Sequence, residues 1–201
     1  MFGVFPFLQI IPLFLQTEKK LIRDCQKGIK KAQYVLVKRY SPMLLSVCRR
    51  YARDEAMARD VLQETLIRIF ENINRYEPRG SFEAWMRRIA VRRSLQWLDK
   101  SAWQHELQPV QMPEAQPEPP EIYSQLEAEE IMALLRTLPD GFRAVFNLYV
   151  VEGYTHSQIA ALLGISESTS RSQLVRARKL LQEKLLILKK TSRYEVATVR
   201  K

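Results

Sequence analysis

Two helical patterns hinged on one glycine, in the stretch 153–185 reading GYTHSQIAALLGISESTSRSQLVRARKLLQEKL, constrain this chain more than any other feature. Ile159, Leu162 and Leu163 recur at the i, i+3, i+4 spacing that gathers apolar side chains on one helical face. Gly164 follows. Glycine enters the left-handed C-cap conformation without steric cost, and Ile165 can then fold back on the last turn. Ser166 to Thr169 supply N-cap side chains for a second helix, and Glu167 suits the positive end of its dipole. That helix is expected to bury Leu174, Ala177, Leu180 and Leu181 while Arg171, Ser172, Gln173, Arg176 and Lys179 lie elsewhere. The pattern predicts a helix-turn-helix.

A plain helical hairpin would have the same outline. The polar face separates the two readings, because its hydroxyls and amide are interleaved with arginines and no acidic residue falls between Glu167 and Glu183. Side chains of that kind reach phosphates and base edges, so DNA is the expected partner of this unit.

The charge of the whole chain agrees. Its 201 residues carry a formal +10, but seven of the 22 acidic residues sit between Gln104 and Glu130, where there is no lysine or arginine. The remainder holds 32 basic against 15 acidic residues, a balance of +17 suited to a polyanion whose counterions are released on binding. Cys25 and Cys48 have neither the spacing nor the number for a metal knuckle or a disulfide framework, and read as buried thiols in a reducing cytoplasm. Residues 1–16, MFGVFPFLQIIPLFLQ, are apolar but shorter than the ~20 residues of a membrane span and are broken by Pro6 and Pro12. No basic residue precedes them and no small-residue cleavage site follows, so an extension outside the fold is expected, with a membrane tether as the alternative.

An all-α fold of two small domains is expected. In the first, 17–102, Leu21, Ile22, Cys25 and Ile29 share one helical face, Gly28 interrupts, and the pattern resumes from Ala32 to Tyr51 with a break or kink at Ser41-Pro42. Asp54 caps the next helix, which runs to about Asn74; the turn RYEPRG at 75–80 follows, and Ser81 caps a helix through Phe82, Trp85, Met86, Ile89 and Leu98. Residues 103–121 are rich in proline and glutamate, lack apolar periodicity and form a linker. The second domain, 122–187, has an apolar face through Leu126, Ile131, Leu134 and Leu138, a turn at Pro139-Asp140-Gly141, and a helix from Phe142 to Val151 that leads into the helix-turn-helix. A basic tail, 188–201, is expected to fray.

Two stripes of the first domain stand out. Asp60, Gln63 and Glu64 fall at i, i+3 and i+4 opposite Val61 and Leu62; taken alone they read as a solvated face with a Glu64 to Arg68 pair. Arg88, Arg92 and Gln96 form an i, i+4, i+8 stripe flanked by Arg87 and Arg93, with Tyr76 in the preceding turn. Cations beside an aromatic suit single-stranded DNA, whose bases stack on rings while the backbone follows positive charge. No nucleophile is paired with a base, no glycine-rich phosphate loop occurs, and His105 and His156 have no metal-ligand spacing, so no enzyme activity, cofactor, metal or small-molecule substrate is expected.

The motifs DVLQETLIRIF at 60–70, FEAWMRRIA at 82–90, LPDGFRAVFNLYVVEGYTHSQIAALLGIS at 138–166 and STSRSQLVRARKLL at 168–181 resemble the extracytoplasmic-function (ECF) group of the sigma-70 family, the sigma factors of bacterial RNA polymerase. The resemblance implies a region 2 domain in which Asp60, Gln63 and Glu64 dock on the clamp helices of the largest subunit of core RNA polymerase, against the solvated-face reading. It implies that Tyr76, Arg88, Arg92 and Gln96 capture the −10 element of promoter DNA, although Arg92 and Gln96 stand where the family carries asparagine and aspartate. In the second, region 4 domain it places Arg171, Ser172, Gln173, Val175 and Arg176 on the −35 duplex. It also implies an anti-sigma factor as regulatory partner, and a linker threaded through polymerase channels. A dimeric helix-turn-helix regulator and a metal-dependent nucleic-acid enzyme are the alternatives.

Overall fold

The computed structural model describes residues 17–98 and 128–199. Among them every regular element is helical. The apolar extension 1–16 and the linker 103–121 lie outside the described residues. Two compact units form, one of the described residues to Cys48 with Asp54–Ser94, the other of Arg49–Arg53 with the described residues from Leu95 on.

The first unit is built on α1 (Glu18–Gln26), α2 (Lys30–Tyr51) as far as Cys48, α3 (Glu55–Asn72), a 3-10 turn (Ile73–Arg75) and α4 (Phe82–Trp97) as far as Ser94. The sequence breaks between these helices have local causes. Gly28 adopts φ 73° between α1 and α2, the Asp54 carboxylate accepts from Met57 N at 2.7 Å to start α3, and Ser81 Oγ accepts from Ala84 N at 3.1 Å to start α4. Leu21, Leu36, Leu44, Ala58, Ile69, Phe82, Met86 and Ala90 have no exposed surface and make up the centre of the core. Polar ties complete it: Gln26 Nε2 donates to the Ile73 carbonyl at 3.0 Å, and Tyr40 donates to Glu18 at 2.9 Å.

Of the break or kink expected at Ser41-Pro42, the break does not occur, since α2 continues through Pro42 to Tyr51. The proline removes one backbone donor, but it sits on the exposed side while Leu44, Val47 and Cys48 continue the buried face, and that burial outweighs the local loss. Both thiols are buried as expected, and burial with the nearby Asp24 charge pushes Cys25 up to about 11, which makes it unreactive.

The second unit contains α5 (Ala128–Arg136), α6 (Asp140–Phe146), a π turn (Asn147–Val151), α7 (His156–Leu163) and α8 (Glu167–Val199). α8 packs against α5, α6 and α7, burying Leu174, Ala177, Leu181 and Leu185 with Leu135, Val145, Leu148 and Ile159. Here too the expected boundaries shift. The helix expected from Phe142 starts at Asp140, which lies in its first turn, and its last turn widens, with Glu152 N donating to the Asn147 carbonyl at 3.0 Å. The wide turn leaves Tyr149, Val150 and Val151 exposed. The tail expected to fray stays helical, since α8 runs to Val199.

Arg143 holds the start of this unit together. Its side chain is only 2% exposed and its guanidinium meets Asp140 Oδ1 at 2.6 Å and the carbonyls of Arg136 and Leu138 at 3.4 and 3.3 Å. A buried guanidinium is tolerable only when its donors are so met. Among the described residues no helix is long and apolar enough to cross a membrane.

Candidate nucleic-acid interface

The turn between α7 and α8 is fixed at both of its helix ends. Thr155 Oγ1 accepts from Gln158 N at 3.3 Å while Gln158 Oε1 accepts from Thr155 N at 2.9 Å, a reciprocal capping box that starts α7. Gly164 ends it at φ 70°, with its N–H and that of Ile165 both donating to the Ala160 carbonyl, at 2.9 and 3.1 Å. Ser166 Oγ then accepts from Thr169 N at 3.0 Å and starts α8. Gly164 and Ser166 thus shape the turn from which α8 leaves, and the capping box fixes the opposite end of α7.

Of the five residues expected on the duplex, four share a stripe of α8. Arg171 is exposed and meets Glu167 at 3.1 Å, a solvated i, i+4 pair that a phosphate could replace at small cost. Ser172, Val175 and Arg176 are half-buried beside it. Gln173 departs from the expectation, because it has no exposed surface and lies on the core side of α8. Its position explains this: Ser170, Gln173, Leu174, Ala177 and Leu181 recur at i, i+3, i+4, i+7 and i+11 and are all buried. The same periodicity was present in the sequence and outranks the polarity of an amide.

A second positioning group is His156, at the start of α7. Its Nδ1 shares a hydrogen bond of 2.9 Å with Ser170 Oγ, and its ring stacks on Tyr149 with centroids 4.5 Å apart, so it links the π turn, α7 and α8. Burial, then the positive charge of Arg171, holds the imidazole below its ordinary range.

Arg88, Arg92 and Gln96 lie exposed along α4, as an i, i+4 stripe requires. Tyr76 is half-buried: its ring packs edge-on to Phe82 at 5.0 Å, tilts against Trp85 at 5.2 Å, and its hydroxyl donates to the Gly80 carbonyl at 2.9 Å. Phe82 and Trp85 stack at 5.5 Å behind it. A loop aromatic is thereby held by two others and keeps part of its surface free. Trp85 and Ile89 of α4 are half-buried, while Phe82, Met86, Ala90 and Val91 are fully buried.

On α3, Asp60 and Gln63 are exposed and Glu64 is half-buried. The expected Glu64 to Arg68 pair does not form; Arg68 meets Glu71 at 2.8 Å, and Glu64 forms an ion pair with Arg93 across on α4. Tertiary packing brings Arg93 closer to Glu64 than the helical spacing brings Arg68, a pairing no one-helix pattern could signal. Among the described residues no cluster of three or more His, Cys, Asp or Glu could hold a metal ion.

The comparisons with known proteins divide the chain where these two faces lie. The family model for sigma-70 region 2 matches residues 36–104, and that for sigma-70 region 4 matches 128–181, together more than half of the chain. An ECF RNA polymerase sigma factor, SigE of Mycolicibacterium smegmatis, is 33% identical over 75% of this chain and 60% of its own length, so the chain spans less than two thirds of that relative. The ECF RNA polymerase sigma-E factor of Haemophilus influenzae is 25% identical over 84% of this chain and 95% of its own. Among solved structures, the sigma factor RpoE of Bartonella quintana, in complex with the anti-sigma factor NepR, is 24% identical over 75% of this chain and 93% of its own, with a TM-score of 0.48.

Proposed function

Since this chain belongs to the sigma-70 family of RNA polymerase sigma factors, in its ECF group, we propose that it directs core RNA polymerase to a set of promoters by reading two DNA elements with two separate units. The second unit binds the −35 element as duplex, through Arg171, Ser172, Val175 and Arg176 of α8. The first captures the −10 strand as it opens, with Tyr76 offering a ring for a base and Arg88, Arg92 and Gln96 lining its path. Asp60, Gln63 and Glu64 dock on the clamp helices of the polymerase, whose partner surface must then be basic.

The observation that carries this reading is the pairing of functions on one chain. A helix-turn-helix alone would suit a dimeric regulator, but such a regulator has no use for a region 2 unit with an exposed acidic-polar stripe on α3 and a basic one on α4. Two faces of opposite charge on adjacent helices suit a bridge between a protein and a nucleic acid. The protein acts as an initiation factor in the cytoplasm, where promoter DNA is, and an anti-sigma factor that covers one or both faces is its expected antagonist.

Reconstitution tests the reading. Core polymerase supplied with this chain should initiate on a library of genomic fragments at sites that core alone ignores. Asp60→Asn should lower that activity by weakening core binding while leaving the fold intact, because the side chain is exposed.

A further inference from the structure

The arginines of α4 do not share one environment. Arg88 and Arg92 are exposed and form no ion pair among the described residues. Arg93 has only 22% of its side chain exposed and is paired with Glu64 of α3, itself 36% exposed. A guanidinium held this way cannot reach a phosphate without first leaving a half-desolvated carboxylate behind. The neighbouring Arg92 meets no such obstacle.

We propose that Arg93 is a positioning residue of the polymerase-docking face and not a DNA contact: it holds the Glu64 carboxylate in place beside Asp60 and Gln63 and ties α3 to α4. The inference rests on the initiation-factor reading and adds to it a residue from the opposite helix. Arginine suits the task because its planar fork fixes the orientation of a carboxylate, which a lysine point charge does not. The tie also makes one body of the helix that meets polymerase and the helix that lines the −10 strand, so docking on α3 is felt at α4 without an intervening loop.

The test compares Arg93→Gln, Glu64→Gln, the exchanged pair Glu64→Arg with Arg93→Glu, and Asp60→Asn, each as the full chain. Binding to core polymerase, the salt dependence of holoenzyme binding to −10 strand oligonucleotide, and thermal unfolding are measured for each. Arg93→Gln should weaken core binding by ~3- to 10-fold, close to Glu64→Gln, with the salt slope for DNA unchanged. The exchanged pair should recover the unfolding temperature but not core binding, since the polymerase then meets a cation at 64. Recovery of core binding by the exchange would reduce the pair to an internal strut and overturn the proposal. So would an Arg93→Gln protein with normal core binding and a salt slope lower by about one, the mark of a lost phosphate contact. If Asp60→Asn and Glu64→Gln both bind core normally, the docking stripe itself fails, and with it the wider reading; if Asp60→Asn is weakened and Arg93→Gln is not, only the present inference fails.

Discussion

The imidazole of His156 lies against the ring of Tyr149, with centroids 4.5 Å apart and planes 22° apart, and shares a 2.9 Å hydrogen bond through Nδ1 with Ser170. The contact joins three elements of the second unit through one titratable ring. Burial and the charges of Arg171 and Arg178 lower its pKa below the ordinary 6.5, and the weaker opposing effect of Glu167 does not cancel them. As pH falls through 6.5, the unfolded chain therefore takes up a proton before the folded one does. The contribution is fully present above 6.5 and is lost as pH drops through the folded value. Hydrogen exchange of α7 amides should show protection falling between pH 7.5 and pH 5 in the wild type, and falling less in His156→Gln. Equal loss in both would mean that His156 does not sense this range.

The turn that aims α8 should be sensitive to its backbone chemistry. Gly164 sits at φ 70° with nothing within 4 Å of an added Cβ, so Gly164→Ala tests backbone strain alone and should cost ~1–2 kcal/mol in urea unfolding. Thr155→Ala, which removes the capping box of α7, should cost ~1 kcal/mol. Values near zero would show that tertiary packing, not these local devices, holds α7 and the turn that follows it.

The burial of Gln173 separates it from its neighbours in a way that binding can read. Arg176→Ala should weaken −35 duplex binding by ~1–3 kcal/mol and relax preference at one base pair if it touches a base, or lower the salt slope by about one if it touches only phosphate. Gln173→Met, close in volume, should keep the base preference, because the side chain faces the core. A changed preference in the Gln173 variant would mean that α8 turns on DNA.

Tyr76 must be tested with its structural role in view. Tyr76→Phe keeps the ring contacts with Phe82 and Trp85 and loses only the hydrogen bond to the Gly80 carbonyl. If the ring is a base platform, Tyr76→Phe should melt promoters nearly as the wild type does. Tyr76→Ala should lower open complex by the ~1–3 kcal/mol that stacking contributes per base, with thermal unfolding used to subtract its effect on the fold. Permanganate reactivity of −10 thymines reads both. Normal melting in Tyr76→Ala would remove the residue from the site.

Much of the fold could be read from periodicity and caps. Gly28, Asp54, Ser81 and Gly164 mark helix ends in the sequence and do so in the structure for local reasons, a left-handed backbone or a side-chain oxygen on an orphan N–H. Local rules failed where distant packing decided the outcome. Ser41-Pro42 reads as a break or kink, yet the buried face on either side carries α2 through it without a break. Glu64 reads as a partner of Arg68, yet α4 brings Arg93 to it. Arg143 carries no sequence signal of burial, yet oxygens of Arg136, Leu138 and Asp140 receive it in the core. For Gln173 the signal is in the sequence, since its i, i+4 partner Ala177 belongs to the apolar face, and position there outweighs amide chemistry.

Mapping the 5′ ends of transcripts made by core polymerase with this chain, on fragmented genomic DNA, tests the central claim most directly. A sigma factor with two DNA-reading units predicts new starts that share two unlike upstream boxes, with the −35 box altered in preference by Arg176→Ala and the −10 box by Arg92→Asn. No new starts, or binding confined to one palindromic site with half-sites a helical turn apart, would contradict it.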